Sequence, residues 1–433
     1  MSAKPRLKPL SEQTIVVTGA TSGIGLSVAR RAAAAGARVF LIARGEDALT
    51  KLCEELQGSG ARAAWASVDV ADHAALADAA DRCVRLFGGI DTWINNAGVA
   101  IYGPIRETTL EDQRRLFDTN YWGAVNGSLV AVERMRGKGG ALINIGSVLS
   151  DAPIPVQGVY SASKHALKGF TNALRMELIR EKAPISVSLV KPAAIDTPYK
   201  DHARNLTGWP MRNPPPVYAA HVVADAILYC AGHRVREITV GGGGRLLASF
   251  YAAAPGIAEP LFARLIPLLH RDRRSRARST EDGLYDPTED GLYEEADYPM
   301  VRQYSALAQA RMHPRATVGG LVLLAALVTA GVLLAQRTGP TRFERLRERV
   351  DPRRWIPGDR IRDLGERARS GASDIYHRAT DAFPAEEIQR GARGAGRYAR
   401  DHAKEGGALL ALVAIAGAVA AVASQSDRFG GRS

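Results

Sequence analysis

From Gln13 to about Val240, short runs rich in β-branched residues alternate with longer alanine-rich stretches of helical periodicity. This alternation is typical of a parallel β-sheet, because parallel neighbours need a long crossover, usually a helix. Seven such strands predict a doubly wound α/β fold with a parallel sheet. The predicted strands cover residues 15–18, 39–43, 64–68, 92–95, 141–145, 186–190 and 237–240.

A glycine-rich turn follows the first predicted strand, and a helix is predicted to open directly after it. Glycine permits a tight turn and lets backbone N–H groups approach an anion at the helix N-terminus. At the head of a βαβ unit, this arrangement predicts a site for a dinucleotide pyrophosphate. The turn consists of Thr18, Gly19, Ala20, Thr21, Ser22, Gly23, Ile24 and Gly25.

Arg44 follows the second predicted strand, where a cofactor without a 2′-phosphate would usually meet an acidic residue. A guanidinium can bind a phosphate dianion through two parallel hydrogen bonds, so NADP(H) is favoured over NAD(H). An exposed strand-end arginine, followed by the acidic Glu46 and Asp47, is the alternative interpretation.

Further polar and small residues follow the third and fourth predicted strands. Asp69 and Val70 come after the third strand, and Asn96, Ala97 and Gly98 come after the fourth. Open α/β sheets bind their ligands at the carboxyl ends of the strands. These residues are therefore candidates for cofactor contacts.

Four residues form a candidate catalytic set. Tyr160 and Lys164 lie four residues apart, so a helix would place them on one face. A nearby cation lowers the pKa of a phenol, which makes it a usable general acid or base. Ser147, after the fifth strand, could hydrogen-bond a substrate carbonyl. The side chain or a bent backbone at Asn120 could hold a water that links Lys164 to solvent.

Together these motifs, in this order and spacing, resemble the short-chain dehydrogenase/reductase family in its roughly 250-residue branch. The resemblance covers about residues 11–255 and implies a Rossmann fold, a nicotinamide cofactor and a homo-oligomer. The motifs that carry it are TGATSGIG, Asp69-Val70, NNAG, Asn120, Ser147 and YSASK.

The resemblance also assigns catalytic roles. It implies that Tyr160 donates or accepts the proton, and that Lys164 tunes the tyrosine pKa and binds the ribose. Ser147 would stabilise the carbonyl, and Asn120 would relay protons.

By the same resemblance, Gly19, Gly23 and Gly25 cradle the pyrophosphate, Asp69 lies by the adenine and Asn96 supports the central strand.

Residues 191–197 match the PGxxxT segment that lies beside the nicotinamide, which places Pro192, Ile195 and Thr197 at the cofactor. Ala193 stands where the family has glycine. The following loop, up to Tyr218, is expected to cover an apolar substrate pocket. Residues expected at this cover are Tyr102, Trp122, Tyr199, Trp209, Pro214, Pro215 and Pro216.

Beyond residue 255 the chain leaves the resemblance. Pro255, Pro260 and Pro267 argue against one long helix and favour a peripheral helix packed on the core over a membrane-surface element. A basic stretch at residues 271–278 precedes an eight-residue duplication, EDGLYDPT at 281–288 and EDGLYEEA at 289–296. The duplication is either a strap that docks on the basic stretch or the catalytic domain, or a solvated linker.

Two uncharged runs, residues 317–335 and 406–423, reach the length of a membrane span. The first predicts a transmembrane helix; the second, rich in Ala and Gly, predicts either a span or a buried or interfacial helix. The N-terminus lacks the apolar core of a signal peptide, so the catalytic domain is expected in the cytoplasm. The predicted units are residues 1–12 (tail), 13–255 (catalytic domain), 256–316 (helix and linker), 317–335 (span), 336–405 (charged linker), 406–423 (second apolar helix) and 424–433 (tail).

The net charge of +12 does not favour nucleic acid. Half of it lies in residues 317–433, whose 19 basic and 13 acidic side chains are interspersed without aromatic platforms. Cys53, Cys83 and Cys230 are scattered, which argues against a disulfide scaffold and a zinc site and predicts no metal.

The leading hypothesis is therefore a membrane-tethered, NADP(H)-dependent enzyme that interconverts a carbonyl and an alcohol on a lipophilic substrate, with membrane lipid as a further partner. The alternative is a membrane scaffold or sensor that binds the cofactor without turnover.

Overall fold

The computed structural model describes residues 5–272, 282–288, 292–296, 298–314, 317 and 327–329. The described residues through Thr317 belong to one compact unit. The predicted apolar runs lie outside the described residues, apart from residues 317 and 327–329. Within the described part of the chain, no helix has both the length and the hydropathy needed to cross a membrane.

A seven-stranded, all-parallel sheet forms the centre of the fold, and all seven predicted strands are confirmed within one or two residues. The strand order is β7-β6-β5-β4-β1-β2-β3. The strands are β1 Thr14–Thr18, β2 Arg38–Ala43, β3 Ala63–Ser67, β4 Thr92–Asn95, β5 Gly140–Ile145, β6 Ile185–Pro192 and β7 Glu237–Val240.

Helices cover both faces of this sheet. Ile15 and Val17 of β1 belong to the apolar cluster that α1, α2 and α7 complete, whereas Val16 points into the cluster completed by α3, α5 and α6. The central strands are therefore buried on both faces, which explains their continuous apolar runs. The helices are α1 Gly23–Ala34, α2 Glu46–Gly58, α3 His73–Phe87, α4 Leu110–Phe117, α5 Gly123–Met135, α6 Gly158–Arg180, α7 Ala220–Gly232, α8 Gly242–Ala253, α9 Pro255–His270 and α10 Ala306–Met312.

The direction of strand succession reverses between β1 and β4, which pair directly with each other. From β1 the chain proceeds to β2 and β3 on one side, and from β4 to β5, β6 and β7 on the other. Such a reversal opens a crevice at the carboxyl ends of the strands, where ligands bind in sheets of this kind.

The region after β7 forms two helices rather than a single peripheral one. Pro255 separates α8 from α9, as expected, but Pro260 and Pro267 lie inside α9. One long helix is absent from the described residues of this region, as the prolines predict, but among the three only Pro255 marks a break. Helix α9 packs on the domain through Ala258, Phe262 and Ile266, in a cluster with Val148, Leu149 and Ile154.

The described parts of the duplicated segment, residues 282–288 and 292–296, contact the catalytic domain; we call them the strap. Leu284 is fully buried against residues of the domain, and Leu292 packs against the main core. Of the two alternatives that the sequence leaves open, docking on the domain is the one that the described residues adopt.

Candidate active site

The turn between β1 and α1 is tight enough to require glycine. Gly19 and Gly23 have φ values of +63° and +52°, in the left-handed region. A Cβ atom on Gly19 would lie 2.8 Å from the Cα of Ala97, and one on Gly25 would lie 1.9 Å from the carbonyl oxygen of Gly19. The turn thus forms a cradle of bare backbone at the N-terminus of α1. This cradle fits a dinucleotide pyrophosphate.

Asn96 fastens the end of β4 to this turn. Its Nδ2 donates to the carbonyl oxygens of Thr18 and Gly19, both at 3.1 Å. The hydroxyl of Thr18 accepts hydrogen bonds from the amides of Asn96 and Ala97 at 3.0 and 3.1 Å. These bonds hold the two central strand ends together and set the shape of the cradle.

Ser147, at the end of β5, is locked by a capping box around a short 3-10 turn. Its Oγ accepts a hydrogen bond from the amide of Leu149 at 3.0 Å, and its own amide donates to Ser150 Oγ at 3.1 Å. The serine side chain also lowers the pKa of the Tyr160 phenol, against the effect of burial. A hydroxyl held this firmly can polarise a carbonyl without reorganising.

Tyr160 and Lys164 lie one turn apart near the start of α6, as the spacing predicts. The Lys164 ammonium donates to the carbonyl oxygen of Ile145 at 2.9 Å and lies 5.6 Å from the centroid of the Tyr160 ring. Burial lowers the pKa of Lys164 to about 8. The lysine therefore remains cationic at neutral pH and loses its charge just above it.

The pKa of Tyr160 differs from the sequence expectation. Burial raises the pKa of its phenol above the ordinary value, and hydrogen bonds to Tyr199 and Ser147 oppose that rise. The lowering expected from Lys164 does not prevail here, because the ammonium is directed at Ile145 and burial penalises the phenolate.

Asn120 is buried within a π-helical turn, Asp118–Trp122, that joins α4 to α5. Its Oδ1 accepts from the amide of Val99 at 2.8 Å, and its Nδ2 donates to the Val99 carbonyl at 2.9 Å. The side chain thus braces the segment after β4, while the backbone around it is bent. The relay role of Asn120 stays a prediction.

These elements enclose a cavity of about 420 Å³ at the carboxyl ends of the strands. Thr21, Gly25, Arg44, Asp69, Val70 and Asn120 are the site residues proposed from sequence that do not line it. Those that do line it are Gly19, Ser22, Gly23, Ile24, Asn96, Ala97, Gly98, Ser147, Tyr160, Lys164, Pro192, Ile195 and Thr197.

Arg44 and Asp69 lie at the neighbouring end of the crevice. Burial alone would raise the pKa of Asp69, but hydrogen bonds from the Ala71 amide and from Arg115 bring it below its usual range. Arg115, on α4, reaches Asp69 at 2.5 Å. No sequence motif singles out this arginine, because it reaches the site only through the packing of α4. The guanidinium of Arg44 donates hydrogen bonds to backbone carbonyl oxygens of the strap.

The expectations for the substrate cover hold in part. Tyr199 and the three prolines line the cavity, but Trp122 is half exposed beside Tyr121 and does not. Trp209 instead lies under the guanidinium of Arg271, at 4.1 Å from the ring centroid. The expectation for Trp122 was wrong, because the π turn directs that ring away from the cavity.

Helix α9 supplies cavity residues that the sequence motifs miss. Ile266, Leu269 and His270 line the cavity opposite the strand ends. The apolar pattern of α9 predicts that the helix packs on the core. Because the helix lies beyond the family motifs, the sequence does not indicate that it lines the cavity.

The departure at Ala193 is accommodated by neighbouring glycines. Cβ atoms on Gly241 and Gly244 would lie 2.6 and 2.8 Å from the Ala193 methyl group. Because both positions are glycine, the methyl group fits where the family has none. The backbone of Ala193 remains tied to β7, with its amide donating to the Val240 carbonyl at 2.8 Å.

The comparisons with known proteins agree with this architecture. Over 333 residues the chain is 39% identical to "Uncharacterized oxidoreductase YxnA" of Bacillus subtilis (strain 168), covering 75% of this chain and 93% of that protein. The family model for short chain dehydrogenase matches residues 13–206. The chain belongs to the short-chain dehydrogenase/reductase family.

Two further matches cover a smaller part of the chain. The chain is 37% identical over 190 residues to "Dehydrogenase/reductase SDR family member 7B" of Bos taurus, which covers 42% of this chain and 58% of that protein. A short-chain dehydrogenase/reductase from Burkholderia phymatum, solved in complex with NAD, superposes with a TM-score of 0.53 at 24% identity. It covers 58% of this chain and 96% of its own, and shows the same fold.

Membership makes the protein an NAD(P)-dependent dehydrogenase or reductase that acts on a small molecule. Among the described residues there is no cluster of His, Cys, Asp and Glu that could hold a metal ion. The polar side chains that line the cavity include those of Ser147, Tyr160 and Lys164.

Proposed function

We propose that this enzyme uses NADP(H) to interconvert a carbonyl and an alcohol on a lipophilic substrate, with its catalytic domain held at the cytoplasmic face of a membrane. The observation that carries the proposal is the cavity itself. The Ser147, Tyr160 and Lys164 side chains form its polar wall, and apolar side chains form much of the remainder.

When bound, the nicotinamide supplies or accepts a hydride. The cradle of Gly19 and Gly23 would hold its pyrophosphate, and Lys164 would lie beside its ribose. Ser147 orients the substrate carbonyl, and the Tyr160 hydroxyl donates its proton to the oxygen during reduction or accepts it during oxidation. The cation at Lys164 stabilises the phenolate that this transfer leaves.

The position of Arg44 supports NADP(H) over NAD(H). The residue follows β2, where the adenosine ribose is recognised in sheets of this topology. Its guanidinium can form two parallel hydrogen bonds to a phosphate dianion.

The lining of the cavity supports a lipophilic substrate. Apolar side chains from four segments of the chain line the cavity and pack in one cluster with Tyr160: Val148, Leu149, Ile154, Leu247 and Ile266. Removing an apolar ligand from water is favourable by about 25 cal/mol per Å² of buried apolar surface. A small polar ketone would leave much of this apolar surface uncovered.

The outer face of α9 supports membrane lipid as a partner. Ile257, Leu261, Leu265 and Leu268 form one stripe, between 42% and 67% exposed. Leu269, at the end of the stripe, both lines the cavity and is 44% exposed. An apolar stripe of this kind, followed in sequence by the basic residues 271–278, suits the surface of an anionic bilayer.

The test is oxidation of NADPH and NADH by the detergent-solubilised full chain against a panel of lipophilic ketones and aldehydes. We expect turnover with a preference for NADPH, which Tyr160→Phe abolishes and Tyr304→Phe, an exposed control, leaves intact. Cofactor binding without turnover on any substrate would favour the non-catalytic scaffold instead. Binding of neither cofactor would overturn the proposal.

Two further measurements address the surroundings of the enzyme. Extraction of membranes with alkaline carbonate should leave the protein in the pellet, and release into the supernatant would contradict a spanning anchor. The homo-oligomer that the family resemblance implies stays a prediction, which light scattering of the solubilised protein checks.

A further inference from the structure

The strap accepts hydrogen bonds from the same groups that the cofactor phosphates would need as donors. Arg44 donates to three carbonyl oxygens of the strap: those of Gly283 at 2.6 Å, Tyr285 at 2.7 Å and Asp286 at 3.1 Å. With these bonds made, its guanidinium faces backbone oxygens in the position where a 2′-phosphate would otherwise be bound.

The second copy of the duplication engages the other anion site. The amide of Gly23, the first residue of α1, donates to the carbonyl oxygen of Tyr293 at 2.9 Å. Backbone amides at this helix N-terminus are the donors expected to hold the pyrophosphate. A strap carbonyl therefore occupies a hydrogen bond that the cofactor requires.

The two copies use equivalent residues. Tyr285 and Tyr293 occupy the same position in the eight-residue repeat, and their carbonyls accept from Arg44 and Gly23 respectively. Leu284 and Leu292 are likewise equivalent, and both are inserted among apolar side chains of the domain. The two copies of the duplication thus contact two anion-binding positions of the same crevice, Arg44 and the N-terminus of α1.

Charge complementarity reinforces the contact. Asp282 pairs with Arg204 at 2.9 Å, and Glu294 pairs with Arg30 at 2.9 Å. Arg115, which pairs with Asp69, also donates to the carbonyl of Leu284 at 2.9 Å. The strap and the cofactor are both anionic, so the same basic side chains can bind either of them.

We propose that the strap is an intramolecular competitor of the nicotinamide cofactor: it docks where the adenosine phosphates bind and must leave before the cofactor enters. This inference rests on the proposed function, since it assigns the cofactor phosphates to Arg44 and the Gly23 amide. A strap docked in nine molecules of ten raises the apparent Kd for the cofactor about tenfold, because only the open fraction binds.

The test compares NADPH affinity in the wild-type full chain and in Leu284→Ser/Leu292→Ser, by titration calorimetry without substrate. The double variant removes the two apolar anchors and leaves Arg44 and Gly23 in place. We expect its Kd for NADPH to fall at least fivefold. Leu86→Ser, an exposed leucine on α3, is the matched control and should keep the wild-type Kd.

Hydrogen exchange of the wild-type protein supplies a second readout that needs no variant. Addition of NADPH should speed amide exchange in peptides covering residues 282–296 and slow it in the turn at residues 19–25. Slower exchange in the strap on NADPH addition, or weaker NADPH binding in the double variant, would show a lid over the cofactor and overturn the inference.

The two proposals fail in different ways. Equal NADPH affinity in the wild type and the double variant overturns competition by the strap and leaves the proposed function standing. Binding of neither NADPH nor NADH by either protein overturns both.

Discussion

The ring of Tyr199 lies edge-on against that of Tyr160, with their centroids 5.7 Å apart and their planes at 68°. Their hydroxyl groups are hydrogen-bonded, and this bond lowers the pKa of Tyr160 while it raises that of Tyr199. Tyr199 therefore acts on the hydroxyl group that has to carry the catalytic proton. It is a positioning residue that acts through Tyr160.

Replacing Tyr199 by Phe should shift the pH dependence of catalysis. Without the interaction with Tyr199, which lowers the pKa of Tyr160, burial raises that pKa further, so the phenolate needed as base for alcohol oxidation forms at higher pH. We expect the acidic limb of the kcat/KM profile for oxidation to move up by about one pH unit. Tyr304→Phe is the control, and an unmoved limb would show that Tyr199 only fills space.

Tyr102→Phe should stabilise the fold. The Tyr102 hydroxyl is completely buried and has no hydrogen-bond partner among the described residues. Removing it ends a desolvation cost and preserves the ring contacts, so the free energy of unfolding should rise by about 1 kcal/mol. Urea unfolding followed by tryptophan fluorescence measures this change. A loss of stability would reveal a partner for the hydroxyl.

Lys164→Met should also stabilise the protein, and only at lower pH. Burial lowers the lysine pKa from 10.5 to about 8, so below pH 8 the native state carries the full cost of a buried cation. We expect a gain of about 1–2 kcal/mol at pH 7, after the lost bond to Ile145 is counted.

Between pH 8 and 10.5 the wild-type native state releases the proton that the unfolded chain still holds. Wild-type stability rises there, and the advantage of Lys164→Met should disappear. Urea unfolding at pH 7, 8.5 and 10 tests the trend, with exposed Lys51→Met as the control. An advantage that does not change with pH would show that packing, and not charge, is its source.

Gly25→Ala should damage the cofactor cradle although alanine favours helices. The new methyl group would lie 1.9 Å from the Gly19 carbonyl oxygen, so the turn has to move, at a cost of about 1–3 kcal/mol. We expect NADPH binding to be lost in calorimetry. Gly169→Ala, in α6 with nothing within 4 Å of the new Cβ, should instead stabilise by about 0.5–1 kcal/mol.

Arg44→Gln should change the choice of cofactor. Loss of a charge-assisted bond to the 2′-phosphate should weaken NADPH binding by about 10- to 100-fold. NADH affinity should not fall, because NADH has no phosphate at this position and the strap loses one of its anchors. Calorimetry with both cofactors measures the ratio, with Arg85→Gln as the control. Equal losses of affinity for NADPH and NADH would show that Arg44 does not discriminate between the two cofactors.

Much of the catalytic domain was predictable because its signals are local. The strands of the sheet show as β-branched runs, and the close approach at Gly19 and Gly25 demands glycine whatever surrounds the turn. The placement of Tyr160 beside Lys164 follows from helical periodicity alone.

Contacts between distant segments were not predictable in this way. The orientation of Trp122 depends on a π turn, and the cavity contacts of α9 depend on how that helix packs, despite two internal prolines. The raised pKa of Tyr160 could not be predicted because its cause, burial of the phenol, is a property of the folded chain.

The sequence by itself determined the strand succession, the glycine cradle and the residue types available for proton transfer, since each depends on neighbours within one or two turns of chain. Only the tertiary structure decided that Tyr285 lies against Arg44 and Tyr293 against Gly23, across more than 240 residues. The physical reason is that the repeated sequence specifies the leucines, carboxylates and carbonyls of the segment. It does not specify the surface on which they pack. That surface exists only once the strand ends and α1 are in place.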